Sequence, residues 1–180
     1  MRGEPRPYNA AVFINSRGEI AATYAKRSLV SRVGYETYMA QVENRPINMN
    51  GNERLLEDEV FQPGADHLVF DWDGVRAGAL ICADTGRADH WAGIRDLGAT
   101  VIFCPFNNPG LRLYSPRILD RIREFGLYFA GANRAGSYPM GLPGRGQSLI
   151  ADPHGHVLAD CEGEVNSFAI AALPIRTEHL

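Results

Sequence analysis

Nothing in this sequence is apolar for long enough to cross a bilayer. The longest strongly apolar run, Ala77 to Ala83, falls well short of the ~20 residues a spanning helix needs. The N-terminus, Met1-Arg2-Gly3-Glu4-Pro5, lacks the apolar core of a signal peptide. Lysine and arginine form no patch, and the formal net charge is only −3, with both signs interspersed. That excludes the electrostatic footprint of a nucleic-acid or anionic-membrane binder. Cysteine is scarce: Cys82, Cys104 and Cys161 are odd in number and contain no Cys-x-x-Cys pair. Such usage argues against a disulfide framework or zinc cage and for free thiols in a reducing compartment, so a cytoplasmic location is expected. His154 and His156 alternate across a turn but have too few further ligands at compatible spacing for a metal site. No metal, no cofactor, no nucleic acid and no membrane partner is expected. There is no internal repeat and no low-complexity linker. The remainder, 45% hydrophobic and 22% charged over 180 residues, is expected to form a single domain across 1–180.

The patterning is that of an α/β protein with a mixed sheet. Ala10 to Ile14 and Glu19 to Tyr24 are β-prone and flank the turn residues Asn15-Ser16-Arg17-Gly18, which predicts a hairpin. Ser31 to Arg54 reads as a long irregular excursion, either functional or a tolerated surface insertion. His67 to Trp72 and Val75 to Cys82 flank Asp73-Gly74, a second hairpin. A short helix over Asp89 to Leu97, stopped by Gly98, then leads to an apolar strand over Thr100 to Phe106. Strand, helix and strand in that order imply a parallel crossover. Ser115-Pro116 opens a further helix, with Ile118, Leu119, Ile122 and Phe125 at helical spacing and Gly126 at its end. A strand over Leu127 to Ala132 follows, then a hairpin of Ser148 to Ala151 with His156 to Ala159, and a last strand over Ser167 to Leu173.

Two residues stand where chemistry would be placed. Cys82 ends the run Ala79-Leu80-Ile81, at the sheet edge where α/β proteins bind ligands, and the turn after it can aim backbone N–H groups at a developing oxyanion. A thiol there is nucleophilic only beside a cation or base. The alternative is a buried structural thiol. Lys26, after Thr23-Tyr24-Ala25, could supply the cation, although a lone lysine at a strand end more often snorkels into solvent. Cys104 precedes Pro105, which removes an N–H, and reads as structural; Cys161 reads as a loop residue. Trp72 and Trp91 read as packing residues.

The order of several short motifs resembles the nitrilase, or carbon–nitrogen hydrolase, superfamily. Tyr24, Lys26 and Leu29 match Tyr-x-Lys-x-x-Leu. Cys82-Ala83-Asp84 after an apolar strand matches Cys-x-Asp, and Gly98-Ala99 before Val101-Ile102-Phe103-Cys104-Pro105 matches the helix end and following strand. Glu124 precedes Ala132-Asn133-Arg134-Ala135-Gly136, as in Ala-Asn-x-x-Gly. Gly146-Gln147-Ser148 with Asp152-Pro153-His154-Gly155 matches the closing Gly-x-Ser hairpin.

The resemblance implies a nitrilase-like αββα sandwich, here N-terminally incomplete and covering roughly the last two-thirds of such a domain. It also implies a small amide, carbamoyl compound or nitrile as substrate, and a homo-oligomer. Cys82 would be the nucleophile, Lys26 the electrostatic stabiliser, and the Ala83 N–H part of the oxyanion site. Glu57, before Phe61-Gln62-Pro63-Gly64, would be the supporting glutamate, with Glu36 a weaker contender and an ordinary surface charge the alternative. In such enzymes a glutamate takes the thiol proton and an acyl-type enzyme is resolved by water. That general-base glutamate belongs to a segment upstream of the lysine hairpin, to which neither Glu4 nor Glu19 corresponds. Ser28, Ala83, Asp89, Ala92 and Phe125 also depart from the usual residues. A second reading is therefore a catalytically impaired remnant that binds a complete paralogue, and a third makes Cys82 a redox-sensing thiol.

Overall fold

The computed structural model describes residues 5–31, 57–107, 116–136, 144–162 and 167–174. The Ser31 to Arg54 excursion beyond its first residue, Glu36 and Ser115 lie outside the described residues.

The first hairpin forms as the turn chemistry requires. Strands β1 (Ala10–Ile14) and β2 (Ile20–Ala25) pair antiparallel, with a register shift at Ile14. A one-turn helix α1 (Glu57–Val60) leads into β3 (Val69–Trp72), which turns through Asp73-Gly74 onto β4 (Val75–Ala79). Strand β4 ends three residues short of Cys82, and a 3-10 turn, Cys82–Gly86, follows. Helix α2 (Ala88–Asp96) then crosses to β5 (Val101–Phe106), and α3 (Pro116–Phe125) precedes β6 (Tyr128–Asn133). The short strands β7 (Ala135–Gly136) and β8 (Gly144–Arg145) pair with each other, and β9 (Leu149–Ala151) and β10 (Val157–Asp160) form the last hairpin.

The main sheet has six strands in the order β10-β9-β6-β5-β4-β3. Its centre, β4-β5-β6, is parallel and its flanks are antiparallel, so the expected α/β class, mixed sheet and crossover are all present. Alternation along β5 shows how the layers are built. Ile102, Cys104 and Phe106 face α2 and α3, where they pack with Trp91, Ile94, Ile118, Ile122 and Phe129. Val101 and Phe103 face the opposite way, toward β1–β2, where Phe13 meets Phe70 and Phe103 at centroid distances of 4.7 and 6.2 Å. Both tryptophans are packing residues, with Trp91 fully buried and stacked on Phe125 and Phe129 and Trp72 edge-on to Phe13 and Phe103. Close approach of α2 depends on Gly78, since a Cβ there would lie 2.3 Å from Ile94 Cγ2.

One expected strand does not form. Ser167 to Leu173 carries no ladder among the described residues, and Phe168 and Ile170 are 81% and 77% exposed. A run of apolar residues predicts only that a segment can be extended, whereas a strand also needs a partner strand to pair with. Leu173 packs beside the Phe70, Ala77 and Val101 cluster without such pairing.

Candidate active site

The three parallel strands end on the same edge of the sheet, and the segments after them converge there. Lys26 follows β2 on the neighbouring hairpin. Its N–H donates to Asn9 O at 2.8 Å and its carbonyl accepts from Gly64 N at 2.8 Å, so the backbone is held on both sides. Gly64 admits no side chain, because a Cβ would lie 2.2 Å from Ala25 O. This gives the Phe61-Gln62-Pro63-Gly64 turn a physical purpose: it docks on the lysine segment. Lys26 itself is 1% exposed, which rules out the solvent-snorkelling alternative. A buried ammonium must be paired, and Nζ is hydrogen-bonded to Glu57 Oε2. Glu57 also accepts from Val30 N at 2.8 Å and Asn9 Nδ2 at 2.9 Å, so three donors fix its carboxylate.

Cys82 opens the 3-10 turn with φ +46°, a left-handed conformation that a residue with a Cβ seldom adopts. The thiol is thereby set at the junction of the two apolar layers, partly buried against both. Burial pushes its pKa up, while the Lys26 charge and the N–H groups of Asn107 and Ala83, aimed at the sulfur, act the other way; the Glu57 carboxylate adds to the rise. At neutral pH the group is therefore a thiol, and attack requires a base to take its proton. Cys104, fully buried nearby, is raised further by its burial, in keeping with a structural thiol.

Asp84 joins the thiol turn to the lysine strand. Its buried carboxylate accepts from Ile81 N at 3.0 Å, Tyr24 Oη at 2.9 Å and Ser28 N at 2.6 Å. Burial, and then the adjacent Asp84 charge, hold Tyr24 far above the usual phenol range, so its hydroxyl is a permanent donor. Beyond Ser28, the Arg27 guanidinium lies between two imidazoles. Arg27 NH1 donates to His67 Nε2 and, at 2.9 Å, to His90 Nδ1, and Ser28 Oγ lies 2.9 Å from His90 Nε2.

Burial, and next Arg27, lower both histidine pKa values from the ordinary 6.5. The unfolded chain thus takes up protons at higher pH than the folded one, and stability is expected to fall as pH drops below about 6.5. Melting temperature measured between about pH 8 and pH 5 checks this. A flat profile would contradict it, and His90→Gln should shrink the slope.

Of the expected site residues, Lys26, Glu57, Cys82 and the Ala83 N–H are brought together. Glu124, which entered only as a motif match, is exposed on α3 and paired with Arg121. Nothing local in the sequence marks Asn107, Asn9, Val30, Arg27, His67 and His90 as neighbours of this site. Asn107 and Val30 act through backbone N–H groups, which carry no side-chain signal. The other four meet the site only through long-range contacts.

The carbon-nitrogen hydrolase family model matches residues 2–178. A deaminated glutathione amidase of Dictyostelium discoideum is 25% identical over 171 residues, covering 93% of this chain and 54% of that protein. An (R)-stereoselective amidase of Pseudomonas sp. is 34% identical over 100 residues, covering 54% and 36%. Among solved structures, an amidase from Nesterenkonia sp. AN1 superposes with a TM-score of 0.73 at 21% identity, covering 92% of this chain and 56% of that one. Another structure of that amidase, at 0.68 and 23%, carries the acetamide moiety of fluoroacetamide on its active-site cysteine and covers 86% and 51%. The chain spans about half the length, or less, of these relatives.

Proposed function

The chain belongs to the carbon-nitrogen hydrolase family, and from that premise we propose that it hydrolyses a small amide, carbamoyl compound or nitrile with Cys82 as nucleophile. One observation carries the reading: a buried lysine, clamped by a glutamate, converges with two backbone N–H groups on a thiol held in a strained turn. In the family's scheme a glutamate takes the thiol proton as sulfur attacks the amide carbon and the carbonyl π pair moves to oxygen. Lys26 Nζ and the Ala83 N–H hold that oxyanion. Collapse breaks the C–N bond, the proton leaves with ammonia, and a thioester remains. Water then adds to the thioester, releasing the carboxylic acid and restoring the thiol. Glu57, its oxygens committed to three donors, serves to orient Lys26.

Ammonia release from a panel of such compounds tests the reading. Lys26→Ala is expected to lower kcat/KM by about 100- to 1000-fold, the usual effect of removing an oxyanion donor. Undiminished turnover in that variant would overturn Lys26's role.

A second reading, assembly beside copies of itself or a complete paralogue, is favoured by the outer face of β1–β2. There Val12, Ile14 and Ile20 are 52%, 56% and 69% exposed. A chain silent alone but raising turnover when mixed with a complete paralogue would favour that reading.

A further inference from the structure

Arg27 follows the lysine that the site depends on, and its side chain lies between two imidazoles. Arginine has only donors to offer, so both ring nitrogens it meets are acceptors. His67 is therefore the Nδ1–H tautomer. His90 carries its proton on Nε2 and donates it to Ser28 Oγ at 2.9 Å. The Ser28 N–H in turn donates to Asp84, which receives Ile81 N immediately before Cys82. The clamp rests on α2 itself: a Cβ at Gly93 would lie 2.3 Å from His67 Cε1, so the ring fits only because that position is glycine. Asp66, Asp84 and Asp89 face the two rings and oppose the Arg27 charge.

We infer that Arg27 is a positioning residue: held between His67 and His90, it locks the Lys26 segment onto α2 and, through Ser28 and Asp84, onto the turn that carries Cys82. Three segments, around residues 27, 67 and 90, are tied by this one guanidinium. The inference deepens the hydrolase reading and rests on it, since it assumes that Lys26 must face Cys82 for turnover.

The test uses the full 180-residue chain and two readouts. One is the pH profile of Cys82 alkylation by iodoacetamide, followed on the Cys82 peptide by mass spectrometry. The other is kcat and KM for the amide that the panel identifies. Arg27→Met keeps the stem and loses the donors. It is expected to move the alkylation midpoint to higher pH and to lower kcat about 10- to 100-fold, the range for a displacement of order 1 Å at a reacting centre, with KM changed less than about 3-fold. Arg27→Lys keeps the charge without the fork, should give an intermediate shift, and carries the same readouts if Arg27→Met does not fold. Gly93→Ala, which displaces His67 from the other side, should shift both readouts in the same direction. A merely structural role would lower the melting temperature and leave the alkylation profile unmoved.

Wild-type profile and kcat in folded Arg27→Met and Arg27→Lys would overturn the inference, while the hydrolase reading would stand if Cys82→Ala still abolished turnover. If no panel compound is turned over by the wild type but the alkylation midpoint shifts in the variants, the hydrolase reading fails and the positioning role stands.

Discussion

Replacing Cys82 with alanine is expected to abolish ammonia release, by at least about 10⁴-fold, because it removes the thiol that forms the covalent intermediate in the proposed reaction. The loss should be chemical. Alanine keeps the Cβ, so the left-handed turn at φ +46° is no more strained than before, and the Asp84 anchors on either side are untouched. Unfolding curves should therefore be nearly superimposable, which separates this variant from those that fail by misfolding. Cys161→Ala, in the loop after β10, should retain wild-type turnover. The alkylation profile supplies an independent reading of the same thiol. Since burial raises its pKa from the usual 9.0, alkylation of the free protein should still be climbing at about pH 9. Lys26→Ala removes a cation that favours the thiolate and should push the midpoint higher still. Full activity in Cys82→Ala, or a midpoint that Lys26→Ala lowers, would refute this assignment.

Much of this centre was legible because its motif pieces are hydrogen-bond partners. The Tyr24 and Asp84 side chains, in two separate motifs, bind each other, and Lys26 binds Glu57. Asn133 donates its Nδ2 to Gly146 O at 2.8 Å and its N–H to Ser148 Oγ at 2.9 Å, joining the Ala-Asn-x-x-Gly and Gly-x-Ser segments. Order along the chain revealed the pieces, while the pairings needed the fold. Hairpins and helices were readable from turn residues and spacing, since those are local signals. The end of β4 was not: Leu80 and Ile81 are as apolar as a strand requires, but the Ile81 N–H is taken by Asp84 and the chain turns at Cys82. Ser167 to Leu173 differs for a related reason, because apolar residues alone cannot report whether a neighbouring strand pairs with them. Burial of Lys26 was equally invisible, as its solvation depends on Glu57, 31 residues away.

Asp84 is expected to be the costliest of these polar residues to lose. Asp84→Ala would strip three donors of their acceptor inside the fold: the Tyr24 hydroxyl and the N–H groups of Ser28 and Ile81. At 0% exposure no water replaces the lost oxygens without rearrangement. Stranding buried donors in this way should cost about 3–5 kcal/mol, read as a lower urea midpoint. Asp84→Asn is the sharper variant. It keeps the shape and one acceptor oxygen but turns an NH₂ toward the Ser28 or the Ile81 N–H, which can only donate, so a loss of about 2–3 kcal/mol is expected despite near-identical volume. By contrast Glu124→Ala, which removes only an exposed pair with Arg121, should change stability by less than about 0.5 kcal/mol. If Asp84→Asn proved as benign as Glu124→Ala, Asp84 could not be the joint between the thiol turn and the lysine strand. If it destabilises as expected, the protein that remains folded should also lose turnover, because the same carboxylate holds Cys82 and Lys26 in one frame.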